Sequence, residues 1–226
     1  MQIKYNLQEE WNLSFAERVI GIIKNPKSAM EDITEQPLIE EAVIIVGVYA
    51  VLSAISGLVM AEKITYVFEG MEDVSSSIES ITRVSTVVFP LIGAFIGWVV
   101  VTGILHLVSL ALGGEGKFYP QIMTVVGFSM IPLIFGGIIG IALISMVEPI
   151  TVTISATNPW AAKDALNNPY LTASSVFGTL MQFWAAAIIF FGVKNAHRLS
   201  PGKSAVVAGI PVVIAIISFV WGSGIV

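Results

Sequence analysis

There is no cysteine in this 226-residue chain. That excludes disulfides, thiolate catalysis, cysteine zinc sites, palmitoylation and prenylation. Gln2 follows Met1, so the myristoylation signal is missing as well. Charge is equally scarce. Only 12% of residues are Asp, Glu, Lys or Arg, against about 25% in a typical soluble domain. Basic runs that could track nucleic acid are absent, and there are only two histidines. What fills the sequence instead is apolar: 55% hydrophobic residues and a mean hydropathy of +0.86. That combination belongs to membrane proteins.

Five apolar stretches are long enough to span a bilayer, which takes about 20 helical residues. They run over residues 42–61, 86–112, 121–147, 173–193 and 204–221, and none has a charge in its middle. Continuous helices are the expected solution, because lipid offers backbone groups no outside partner. The fold expected is all-α: a five-helix transmembrane domain over 41–226, preceded by a segment, 1–40, carrying two short amphipathic helices. The polar, acidic opening, with Glu9-Glu10 and Glu40-Glu41, does not read as a cleavable signal peptide. Lys and Arg cluster on one set of loops: Lys24, Lys27, Lys117, Lys194, Arg198 and Lys203 among them, against Lys63, Arg83 and Lys163 on the other set. This asymmetry places the N-terminus in the cytoplasm and the C-terminus outside.

Within the N-terminal segment, Ser14-Phe15-Ala16-Glu17 is a capping box that starts a helix. Phe15, Val19, Ile22 and Ile23 fall on one face, with Glu17, Arg18 and Lys24 elsewhere. Asn25-Pro26 ends that helix and begins the next, whose stripe is Ala29, Met30 and Ile33. Both helices are expected to lie on the inner membrane surface or on the ends of the bundle. On the other side, the loop from Glu148 to Thr172 carries turn signals, an Ala-rich piece suited to one short helix, and Trp160 and Tyr170 as interfacial anchors.

Small residues recur at packing spacing in Ser53/Gly57, Gly93/Gly97 and Gly136/Gly140. Such pairs bring helices of one chain close together, or join two copies in a homo-oligomer. Pro132 and Pro211 interrupt two spans and free the carbonyls of Phe128 and Val207. His106 is the one titratable group well inside a span, the default place to look for function. Thr102, His106 and Ser109 share a helical face. With Ser129 and Gln182 they are the candidates to line a polar cavity. His106 and His197 fall on the same side of the membrane, where Glu31, Asp32 and Glu115 are the carboxylates that could complete a metal site. Phosphate loops, catalytic triads and metalloprotease motifs are missing, so no enzyme and no cofactor are expected.

Two segments carry a family resemblance. Ile22-Ile23-Lys24-Asn25-Pro26-Lys27-Ser28-Ala29-Met30-Glu31-Asp32-Ile33 resembles the amphipathic segment before the first span in prokaryotic members of the Yip family. His106 through Leu110-Ala111-Leu112-Gly113-Gly114-Glu115-Gly116-Lys117-Phe118 and on to Pro132 resembles that family's second span, Gly-rich inner turn and proline-bearing third span. The resemblance implies five spans, an N-inside topology and a prokaryotic plasma membrane. Eukaryotic members are associated with Rab-type GTPases and vesicle traffic through a cytosolic Asp-Leu-Tyr-Gly-Pro motif, which this chain lacks. Two functions follow as expectations. One is a scaffold that recruits a protein partner or organises the membrane at its cytoplasmic face. The alternative is a small ion or solute transporter, with or without bound metal, working through the cavity near His106.

Overall fold

Two short helices open the fold in the computed structural model, which describes residues 13–68, 72–154 and 167–223. The first, α1 (Phe15–Lys24), starts on the expected capping box. The Glu17 amide donates to the Ser14 hydroxyl oxygen, and the Glu17 carboxylate accepts from the Ser14 amide and hydroxyl. Those bonds from Ser14 hold the Glu17 carboxyl below its ordinary range. The next helix, α2 (Pro26–Glu35), follows after Asn25, whose side chain accepts from the Ser28 amide. Pro26 sits at its first position, where the missing N–H costs nothing.

Five long helices follow, each long and apolar enough to cross a membrane. They begin with α3 (Ile39–Lys63) and α4 (Glu72–Ala111). The third passage is composite: a π-helical turn at Phe118–Ile122, α5 (Met123–Ser129) and α6 (Ile131–Ser145). Pro132 lies in the first turn of α6, so the helix restarts there rather than carrying a missing bond inside it. The last two are α7 (Pro169–His197) and α8 (Pro201–Ser223). Pro211 lies inside α8, and Pro90 inside α4 is a third proline of the spans.

α3 and α6 leave the bundle through the same end. Their continuations, β1 (Ile64–Phe68) and β2 (Ile150–Ile154), therefore run the same way and pair in parallel, Ile64 opposite Ile150 and Phe68 opposite Ile154. This ribbon was not expected from the sequence, where both segments read as loop. The Ile-Thr-Val-Thr-Ile alternation of β2 is the pattern of a pleated strand, and β1 is built from β-branched and aromatic residues throughout. The Ala-rich piece and Trp160 lie outside the described residues, while Tyr170 stands in the first turn of α7.

The core is centred on α5, which packs between α3, α7 and the N-terminal helices. Val125, Phe128, Ile22, Met30, Ile33 and Ile188 are all buried together there. α2 thus spends its Ala29-Met30-Ile33 stripe on the bundle. α1 departs from the sequence expectation. Ile23 is exposed, whereas Arg18 is completely buried beside Ile22. The reason is electrostatic: Arg18 Nε meets Asp32 of α2 at 2.7 Å, and Nη1 meets Glu41 of α3 at 2.9 Å. One guanidinium thereby ties both surface helices to the first span. Its fork geometry suits two carboxylates at once.

Small residues do what lipid-phase packing requires at two of the three expected pairs. A Cβ on Gly57 would sit 2.6 Å from the Thr86 carbonyl oxygen, and one on Gly136 would sit 2.9 Å from Met181. Gly93 and Gly97 differ: a Cβ on either would meet nothing within 4 Å.

Candidate functional site

The end of the bundle that carries α1 and α2, the N-terminal face, is assembled around His197. α4 ends at a glycine. Gly113 has a φ of +87°, its amide donates to the Leu110 carbonyl, and the Gly114 amide reaches back to the Ser109 carbonyl. This Schellman closure needs the left-handed residue that glycine supplies. The chain then wraps over the end of α7. The Glu115 amide donates to the His197 carbonyl at 3.2 Å, and the Gly116 amide donates to His197 Nδ1 at 3.0 Å. A Cβ at Gly114 or Gly116 would fall 2.7 Å or 2.9 Å from that same Nδ1, so only glycine lets the turn close on the ring.

Those contacts assign the proton on His197. Nδ1 accepts from Gly116, so in the neutral ring Nε2 carries the hydrogen. Nε2 faces His106 Nδ1 at 3.4 Å, a long contact, with the rings 5.2 Å apart. The histidines, 91 residues apart in sequence, thus couple α4 to α7. The candidate carboxylate ligands are not gathered around them. Asp32 is engaged by Arg18, and Glu31 and Glu115 line a separate cleft. Among the described residues no three histidine or carboxylate side chains come together as a metal site.

That cleft, about 740 Å³, opens on the N-terminal face. α2 contributes Glu31, Thr34 and Glu35, the glycine turn Glu115 and Lys117, and the end of α7 Asn195, with Arg198 just beyond the helix. Gln121 fixes its wall by accepting from the Lys117 amide and donating to the Thr34 carbonyl. Arg198 and Glu115 approach to 4.0 Å at the exposed rim. Lys203 donates to the Leu112 carbonyl and closes the turn from the α8 side.

The five polar cavity candidates do not share one space. The Thr102 hydroxyl donates to Trp98 of its own helix. Ser109 is buried, its hydroxyl without a hydrogen-bond partner among the described residues. His106 belongs to the N-terminal face, as described. Ser129 and Gln182 do meet, along one groove in the middle of the bundle with Tyr49, Ser53, Pro90 and Trp98. Sequence reasoning missed Tyr49, Ser53 and Pro90. An i, i+4 pair, Tyr49 and Ser53, is the signal that could have found the first two.

Two short helices and five span-length helical passages among the described residues define a polytopic membrane protein with an N-terminal helical platform. The Yip1 domain matches residues 20–222, and the chain belongs to that family. Among curated proteins it is similar to the uncharacterized protein MJ0794 of Methanocaldococcus jannaschii, 24% identical over 126 residues, which is 55% of this chain and 86% of that protein. This archaeal relative agrees with a prokaryotic branch of the family. No solved structure matches.

Proposed function

We propose that this Yip1-domain protein is a non-enzymatic scaffold of a prokaryotic plasma membrane, docking a protein partner on its N-terminal face, which lies in the cytoplasm. The observation that carries this reading is the cleft between α2, the glycine turn and the end of α7, with Glu31 and Glu35 on one wall and Lys117 and Arg198 on the others. Walls of both signs suit a partner segment that carries both charges, since complementary potentials select partners and fix register. The platform is also preorganised. Arg18, Gln121 and His197 each join elements distant in sequence, which lowers the ordering cost of docking.

The experiment is photo-crosslinking in native membranes from a probe replacing Glu35 in the cleft, compared with a probe replacing Ile81 near the other end of the bundle. Discrete adducts at Glu35 that vanish in Lys117→Glu/Arg198→Glu, with none at Ile81, support docking. Equal adducts at both positions, or adducts indifferent to the charge reversals, refute it. The transport reading rests on Gln182 and Ser129 sharing an internal groove. It requires ion or solute flux in proteoliposomes that is lost in Gln182→Leu. Flux of that kind together with an adduct-free cleft would replace the scaffold reading.

A further inference from the structure

Two adjoining chambers inside the bundle differ in polarity and share one wall. The first, about 340 Å³, is lined by Ser56 of α3, Gly140 of α6 and Ser174 and Gly178 of α7. Ser174 lies five residues into α7 and Gly140 five residues before the end of α6. At 1.5 Å per residue this chamber sits about 8 Å below the far end of the bundle. The second, about 350 Å³, is the mid-bundle groove lined by Trp98, Val101, Val126, Ile189 and Pro211. Tyr49, Ser53, Leu133 and Gln182 line both.

The polar chamber has hydrogen-bonding capacity that the fold does not use. Three other hydroxyls of the spans turn back onto their own helix: Thr102 to Trp98, Ser129 to Val126, Thr179 to Ser175. The side chains of Tyr49, Ser53, Ser56, Ser174 and Gln182 do not, and none of them has a hydrogen-bond partner among the described residues. Among the described residues, no Asp, Glu, Lys, Arg or His lines either chamber. A charged ligand would therefore lie inside the bundle without a counter-charge, which is strongly unfavourable. A hydroxyl-bearing, uncharged group finds donors and acceptors there. The neighbouring groove, open at Gly93 and Gly97 and lined largely by apolar side chains, has the lining an alkyl chain requires.

We propose that these chambers bind one membrane lipid with an uncharged hydroxyl headgroup. The headgroup rests on Gln182, Ser56 and Ser174, and an acyl chain runs toward the bilayer middle past Trp98. The shared Tyr49/Ser53/Gln182 wall marks where headgroup gives way to chain. The site is separate from the cleft of the N-terminal face and does not depend on partner docking.

The test is native mass spectrometry of the full chain released from phosphatidylcholine nanodiscs doped with dioleoylglycerol or, separately, with dioleoylphosphatidic acid. The two probes share their chains and differ in headgroup charge. One retained dioleoylglycerol per protein, with no comparable retention of the phosphatidic acid, is expected. Gln182→Leu removes headgroup partners and should weaken retention about tenfold. Gly178→Leu and Gly97→Leu fill the polar and the apolar chamber, and neither Cβ meets an atom within 4 Å. Both should abolish retention while leaving the lipid-free melting temperature unchanged or higher. Gly103→Leu, equally open but outside both chambers, should bind like wild type. Equal retention of both lipids, or of neither, overturns the proposal. So does retention that survives both filling variants. Thermal stabilisation by free glycerol equal to that by dioleoylglycerol would make the chamber a site for soluble polyols and overturn the lipid assignment.

Discussion

Replacing Arg18 with alanine should release the N-terminal platform from the membrane domain. The guanidinium is fully buried, while the Asp32 and Glu41 side chains retain 16% and 10% exposure. Removing one member of a buried ion pair costs about 3–5 kcal/mol, mostly by stranding the charge left behind. Here two carboxylates are stranded next to each other, which adds repulsion. Their partial contact with solvent offsets some of it, so about 3 kcal/mol is the working figure. That corresponds to roughly a hundredfold rise in local opening. Hydrogen exchange read by mass spectrometry should show it as lost protection over residues 15–35, with α6 and α7 little changed. The triple variant Arg18→Met/Asp32→Asn/Glu41→Gln keeps much of the packing and carries no stranded charge, so most of the protection should return. Protection in Arg18→Ala within about threefold of wild type would refute the clamp, as that is under 1 kcal/mol. A triple variant no better than the single one would refute the electrostatic account.

Two further substitutions probe the packing. His197→Phe keeps an aromatic ring but takes the acceptor from the Gly116 amide. It should cost about 1–3 kcal/mol and speed exchange at residues 114–117, whereas His106→Phe, which loses only the 3.4 Å contact, should cost less than half as much. Gly127→Ala would place a Cβ 2.5 Å from the Ala42 Cβ and 3.1 Å from its Cα. Because backbone must move, a loss of about 1–3 kcal/mol is expected by thermal unfolding. The open Gly103→Ala should be neutral or slightly stabilising by comparison.

Much of the architecture was legible because it depends on local properties. Hydropathy over some twenty residues marks a span wherever that span ends up, and all five spans are helices of the structure. The Ser14-Glu17 box, the Asn25-Pro26 junction and the Ala29-Met30-Ile33 stripe are short-range patterns, and each is present. The helix periodicity of α1 misled at Arg18. A charged residue reads as solvent-facing until the carboxylates that neutralise it are known, and these lie 14 and 23 residues away. The β1–β2 ribbon was hidden for a similar reason, since its strands are neighbours only after α3 and α6 emerge side by side.

The sequence by itself determined the class of this protein: a cysteine-free, charge-poor chain of five spans behind two amphipathic helices. Each of those conclusions needs only composition and short-range spacing. The tertiary structure alone decided which polar groups are used and which are spare. It joined His106 to His197, sent Asp32 to Arg18, turned Thr102 back on its own helix and left Tyr49, Ser53, Ser56, Ser174 and Gln182 without partners among the described residues around a common space. The reason is physical. A buried polar group's role depends on whether another part of the chain satisfies it, and that pairing exists only once the helices are packed.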